Sequence, residues 1–267
     1  MPRIFVESAA ACLYTWQSIG QQSAVSFANE GCTRIALLDR NAEGLAQTAA
    51  LIAALPLSKK VETFTQVVNV LEEESIVTAI GAIITLWGRI DYAVNSAGVT
   101  GNNQASTDTA TNAFDTINGI NYRGTWLCSR EELKVMLNQE PLPTHDGRPG
   151  NRGSVVNVAS QLALVGRPRA TAYCASKSAV IGMTRVDAID YTPHNIRVNC
   201  VCPGIVDTPM TQGPGQAERL KPVISIAPMN RLGTPQEIAD AVVFLSSSKA
   251  SFMQGAAMVV DGGYTIN

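Results

Sequence analysis

The stretch SVVNVASQLALVGRPRATAYCASK, residues 154–177, decides how the chain is read. It opens with SVVNVA, a short run of small and β-branched apolar residues, the pattern of a strand buried on both faces of a parallel sheet. Its last part begins a helix-period segment that continues to about residue 190. Ser160 falls at the end of the strand, where open α/β sheets place their ligand crevice. Tyr173 and Lys177 stand four apart on the helix, so both side chains approach the same point from one face.

Working outward, the same alternation repeats along the chain. Strands are expected at Ala9 to Leu13, Arg34 to Asp39, Val61 to Val68, Asp91 to Asn95, Ser154 to Ala159, Ile196 to Val201 and Ala257 to Val260. Helices are expected near 19–30, 42–55, 72–87, 112–138, 171–190 and 235–247, the first closed by Gly31 as a C-cap. The pattern predicts an α/β fold, a Rossmann-type doubly wound seven-stranded parallel sheet in one domain spanning residues 1–267. Asn138 to Gly153, rich in Pro, Gly and Asn, reads as a surface loop, and Pro203 to Leu232 as a lid over the site.

Charge and cysteine usage narrow the function classes. With 20 Lys+Arg against 22 Asp+Glu the formal net charge is -2, and no basic run suits a phosphate backbone or an anionic membrane. Nucleic acid is not an expected partner. The six cysteines lack C-x-x-C spacing and the chain has two histidines, so no metal site is expected and reduced thiols in the cytoplasm are the simpler reading. MPRIFVESAAACLYTW, residues 1–16, loosely imitates a secretion signal, but Glu7 breaks its apolar run. No apolar stretch is long enough to span a bilayer.

Asn121 in INYRGTW, Ser160, Tyr173 and Lys177 fall in the order and spacing of a catalytic tetrad, and here the chain resembles the short-chain dehydrogenases/reductases. NSAG, 95–98, resembles the NNAG turn of that family; PGIVDT, 203–208, resembles its PGxxxT segment; DGGY, 261–264, is also similar. The likeness runs from about Ile19 to the C-terminus. It implies that Tyr173 is the acid/base, that Ser160 orients the substrate oxygen, that Lys177 also holds the nicotinamide ribose, and that Asn121 anchors a relay water. A phenol with pKa about 10 needs activation near neutrality. Lowering it by about three units takes roughly 4 kcal/mol, which a positive charge about 4 Å away supplies at an effective dielectric near 20, and Lys177 is expected to be that charge.

The resemblance also implies a dinucleotide site made of Ile19, Gly20, Asp39, Asn69, Asn95, Tyr173, Lys177, Val206 and Thr208. Asp39 ends the second strand, where a carboxylate accepts bonds from the adenosine ribose and repels a 2′-phosphate. That favours NAD, while Arg40 beside it keeps NADP open. Asn69 stands where many relatives carry an adenine-contacting Asp, and its amide retains hydrogen-bonding capacity.

The glycine-rich loop departs from the family pattern. Aligning SIG, 18–20, with the end of TGxxxGxG sets Leu13 and Tyr14 where Thr and Gly are expected and Ser18 at the second Gly. A phenol at position 14 threatens the close approach of backbone to pyrophosphate. Three readings compete: a rerouted loop that still binds dinucleotide, a fold turned to non-redox work, or an altered start joined to an ordinary enzyme.

The leading expectation is an NAD(P)-dependent oxidoreductase interconverting a secondary alcohol and a ketone on a largely apolar small molecule. Met210, Leu220, Val223, Ile224, Ile226 and Met229 of the lid and Leu162, Leu164 and Val165 after Ser160 are expected to supply the apolar lining, part of them as core packing. The alternatives are a non-redox isomerase or cyclase of the same build and a cofactor-deficient relative. Similar sequences occur in fungal polyketide and terpenoid pathways, an analogy toward secondary metabolism that identifies no substrate. Apolar residues beyond what one sheet face can cover, near 112–138 and 171–190, predict a homodimer or homotetramer.

Overall fold

Strands that are apolar on both faces need cover on both sides, and the helices between them supply it. The computed structural model describes residues 10–14, 18–101, 103–212 and 215–266. In chain order the elements are β1 (Ala10–Tyr14), α1 (Ile19–Asn29), β2 (Arg34–Asp39), α2 (Ala42–Ala53), β3 (Glu62–Val67), α3 (Glu73–Trp87), β4 (Tyr92–Asn95), α4 (Thr111–Asn118), α5 (Thr125–Met136), β5 (Gly153–Val158), α6 (Thr171–Tyr191), β6 (Ile196–Pro203), α7 (Gln216–Ile224), α8 (Pro235–Ser246) and β7 (Ala257–Val260). The strands form one parallel sheet in the order β3-β2-β1-β4-β5-β6-β7. Ala9, expected to begin the first strand, lies outside the described residues.

Each face of the sheet carries its own apolar layer. On one, Phe27 of α1, Leu45 and Ile52 of α2, and Val242 and Leu245 of α8 are buried together. On the other, Ile76 and Ile83 of α3 meet Leu127, Leu133 and Met136 of α5. Local signals set the helix ends: the Asn41 side chain accepts from the amides of Glu43 and Gly44, Gly88 closes α3 in the left-handed conformation, and Thr234 with Glu237 forms a capping box on α8.

Two segments differ from the sequence reading. The single helix expected over 112–138 is divided: between α4 and α5, Gly119–Gly124 winds as a π-helical turn. Its glycines explain why it packs as it does. A Cβ at Gly119 would lie 2.9 Å from Leu71 Cδ2, and one at Gly124 2.9 Å from Val70 Cγ2, so only backbone fits against the start of the β3–α3 connection. The segment 203–232, expected as a lid without assigned elements, contains α7.

The layer around α5 also holds a buried polar cluster. Asn95 Nδ2 lies 3.0 Å from both Glu132 Oε2 and Asn157 Oδ1 and 3.3 Å from Ser129 Oγ, while Asn157 donates to Thr184 Oγ1 at 3.0 Å. These bonds tie β4, β5, α5 and α6 together. Burial pushes the Glu132 carboxyl up from 4.5 to about 8, against the smaller opposing pull of the Asn95 bond. Glu132 Oε1 and Asn95 Oδ1 have no hydrogen-bond partner.

The folded protein therefore keeps a proton on Glu132 that the unfolded chain releases. Its contribution to stability is fully present below the unfolded value and is lost as pH rises from about 4.5 toward 8, on the order of a few kcal/mol. Glu132→Gln, which keeps an oxygen for Asn95 but cannot ionise, should flatten that loss. Urea unfolding at intervals between pH 5 and 9 checks this, and parallel pH profiles for the natural protein and the variant would refute it.

Candidate active site

The order of the strands fixes where a site can form. From β1 the chain winds outward through β2 and β3, and from β4 it winds the other way, so the connections leaving β1 and β4 part at their carboxyl ends and a crevice opens there. The crevice is a cleft of about 360 Å³. A hollow of about 60 Å³, lined by Asp39, Arg40 and Asn69, meets it at Gly98 and Val99. A larger cavity of about 560 Å³ lies near the starts of β4 and β6, beside Tyr92 and Arg197, and gathers none of the expected site residues.

Of those residues, Ile19, Gly20, Ser160, Tyr173, Lys177, Val206 and Thr208 line the cleft together. Ser160 leaves β5 with its hydroxyl accepting from the Leu162 amide at 3.1 Å. Burial raises the Tyr173 pKa, and the neighbouring Ser160 hydroxyl and then the charge of Arg167 pull it back. Lys177, one helical turn beyond Tyr173, donates to the Val158 carbonyl at 2.7 Å, and burial brings its ammonium down to about 8. Arg167, on the loop between β5 and α6, is a further cation whose charge lowers the Tyr173 pKa.

Asn121 stands one step behind the cleft, on the π-helical turn. Its Oδ1 accepts from the Val99 amide at 2.8 Å, and its Nδ2 lies 2.9 Å from the Val99 carbonyl and 3.1 Å from Ser176 Oγ. The amide is thus committed to holding the segment after β4 against α6. Gly98 sits in front of it: a Cβ there would lie 3.3 Å from Asn121 Oδ1 and 3.4 Å from Lys177 Nζ. Both polar groups therefore face a backbone that presents no side chain.

Asn95 is a correction. Expected among the cofactor residues, it is buried with its side chain turned into the Glu132 cluster, away from the cleft. Asn69 lines the small hollow, but its Oδ1 accepts from the Leu71 amide at 3.2 Å and its Nδ2 donates to Glu72 Oε1 at 2.7 Å, so its amide is spent largely on the turn into α3. Asp39 is half-buried, with its pKa raised by burial and one oxygen accepting from the Asn41 amide at 2.8 Å.

The altered glycine loop falls largely outside the described residues, which omit 15–17 and the Tyr14 side chain. The backbone of Tyr14 is the last of β1, in register with Asn95 and Leu38. Ser18 is described: it precedes α1 with φ 99° and ψ -86°, and its side chain makes no capping bond. That backbone is one an L-residue adopts at a cost and a glycine adopts freely. The amides of the first turn of α1 consequently face the cleft without a side-chain cap, the arrangement that receives phosphate at a helix start. With the glycine surface at Gly98 and the carboxylate of Asp39, the residues present fit a nicotinamide dinucleotide.

Sequence reasoning missed Arg167 and Gln161. Arg167 is half-buried, lines the cleft and hydrogen-bonds Asn103 Oδ1. Gln161 follows Ser160, lines the cleft, and leaves its side-chain oxygen without a partner. Their signal in the sequence was position alone, between Ser160 and Tyr173.

Comparison with known proteins bears on this geometry. Residues 14–265 match the family described as enoyl-(acyl carrier protein) reductase. The chain is 40% identical over 259 residues to short-chain dehydrogenase fogB of Aspergillus ruber, covering 93% of each. It is 38% identical over 235 residues to 2-(R)-hydroxypropyl-CoM dehydrogenase of Xanthobacter autotrophicus, covering 87% of this chain and 88% of that one. The crystal structure of levodione reductase superposes with a TM-score of 0.89 at 28% identity, over 98% of this chain and 99% of the other.

The strain at Ser18 gives a test that needs no ligand. Ser18→Gly should raise folding stability by about 1 kcal/mol, the left-handed cost of roughly 1–2 kcal/mol less the entropy a new glycine adds to the unfolded chain. Ser18→Ala should give no gain. Equal stability of the natural protein and the glycine variant in urea titrations would show that the position carries no strain.

Proposed function

The chain belongs to the short-chain dehydrogenase/reductase family, and from that premise we propose that it is an NAD(P)-dependent oxidoreductase interconverting a secondary alcohol and a ketone, with Tyr173 as the proton-transfer group. The observation that carries this reading is that Ser160, Tyr173 and the buried Lys177 line one cleft together. Bound there, the dinucleotide would exchange a hydride with the carbinol carbon. The protein's own groups handle the oxygen. In the reducing direction Tyr173 gives its proton to that oxygen while Ser160 holds it in place, and in the oxidising direction the phenolate receives the proton.

Lys177 is assigned to the nicotinamide ribose, since its bond to Val158 leaves further N–H groups to donate. Ile19, Gly20, Val206 and Thr208 are assigned to the same cofactor. Asp39 would accept from the adenosine ribose and repel a 2′-phosphate, which favours NAD; Arg40 beside it is the feature that would accommodate NADP. Leu162, Met210, Leu220 and Val223 line the cleft and suit a substrate with an apolar body. Exposed apolar residues on α5 and α6, Trp126, Val186 and Ile189, support assembly as a homodimer or homotetramer.

Tyr173→Phe should reduce turnover about 10²–10⁴-fold while leaving dinucleotide affinity nearly intact, because it removes only the proton donor. Lys177→Ala should weaken dinucleotide binding as well. Titration with NADH and NADPH, followed by turnover with a panel of ketones, separates the readings. Full activity in Tyr173→Phe would overturn the assignment, and binding of NADH without its consumption would favour the isomerase or cyclase. In the natural enzyme, turnover should decline above pH about 8, as Lys177 loses its charge and with it part of its hold on the cofactor.

A further inference from the structure

Resting on the oxidoreductase reading of this cleft, we propose that its substrate carries, near the reacting oxygen, a carboxylate or similarly compact anion held by Arg167, with Arg219 of α7 approaching from the lid. The charged residues lining the cleft are Lys177, Arg167 and Arg219, and no described Asp or Glu is among them. Lys177 is engaged with Val158 and assigned to the cofactor. The two arginines have no such assignment.

Neither arginine forms an ion pair with a described carboxylate, in contrast to Arg89, Arg130 and Arg231, which pair with Asp91, Glu73 and Glu237. Arg167 is instead held by the neutral side chain of Asn103, which fixes its direction without cancelling its charge. That charge is felt at the Tyr173 phenol, so it lies close to where the chemistry is assigned. Neither arginine lines the hollow of Asp39 and Asn69, so a 2′-phosphate on the cofactor does not explain them. A guanidinium fixed on one side and open on the other matches the two oxygens of a carboxylate. Beside it, Leu162 and Leu220 receive an apolar tail. The first reading of an apolar substrate with one reactive oxygen is thereby deepened to an apolar body with an anionic end.

The probes are 3-, 4- and 5-oxodecanoate and their methyl esters, which vary the distance between carbonyl and carboxylate and then remove the charge. Their affinities for the natural protein, Arg167→Met, Arg167→Lys, Asn103→Ala and Arg219→Met are measured by calorimetry or ligand-detected NMR, with folding checked by circular dichroism. At least one acid should bind tenfold or more tightly than its ester. The ratio should collapse to about one in Arg167→Met, fall partway in Arg167→Lys and Asn103→Ala, and shrink with added salt. Absence of any acid preference, including failure of every probe to bind, or a preference that survives Arg167→Met, overturns the proposal. The oxidoreductase reading is scored separately, by consumption of NADH or NADPH with the neutral esters. Turnover of an ester without acid preference removes only the anion site, and acid preference without cofactor consumption removes only the redox reading.

Discussion

The strand order reverses between β1 and β4, and almost everything chemical in the molecule follows from that reversal. Parallel strands need crossover connections, and crossovers of one hand can cover both faces of a sheet only if the chain starts in the middle and winds outward twice. The place where the two windings part cannot be covered by either. The start of α1, the glycine turn after β4, the end of β5 and the segment after β6 all border this gap. The cleft is thus a consequence of covering the sheet.

Burial then sets the electrostatics. Removing Tyr173, Lys177 and Glu132 from water disfavours the charged form of each, raising the phenol and the carboxyl and lowering the ammonium. The same physical cause has different consequences. At Tyr173 it keeps a proton available to donate. At Lys177 it leaves an ammonium only modestly favoured at neutral pH. At Glu132 it keeps a proton on the carboxyl of α5 that accepts from Asn95 of β4, against the pull of that bond. Arg167, half-exposed and always charged, introduces a fixed positive charge beside groups that otherwise avoid charge.

The backbone carries its own compromises. The π-helical turn at Gly119–Gly124 brings Asn121 inward to clasp Val99 and Ser176, and glycine is needed where the turn meets Val70 and Leu71. At Ser18 the opposite holds, because the conformation suits glycine and the chain places serine there. The start of α1 is consequently strained where a dinucleotide phosphate is expected to approach.

The sequence by itself determined the layered α/β build, which is written in local periodicity because apolar runs make buried strands. Arg34–Asp39 and Ala257–Val260 were read to the residue for the same reason. Ser160, Tyr173 and Lys177 were singled out by the resemblance of their order and spacing to a family pattern, and the fold brings all three to one cleft. Tertiary structure alone decided the rest. Asn95 looked like a cofactor residue until packing turned it toward Glu132, a buried acid that no periodicity announces. The helix over 112–138 was read through Gly119 and Gly124 as one element, and the π-helical turn there sets those glycines against Val70 and Leu71, which lie far away in sequence. Arg167 gained its place beside Tyr173 because the loop from β5 folds back over the cleft and Asn103, on a different crossover, holds its guanidinium. Periodicity reports which face of an element is buried. It does not report which distant side chain waits on the other side.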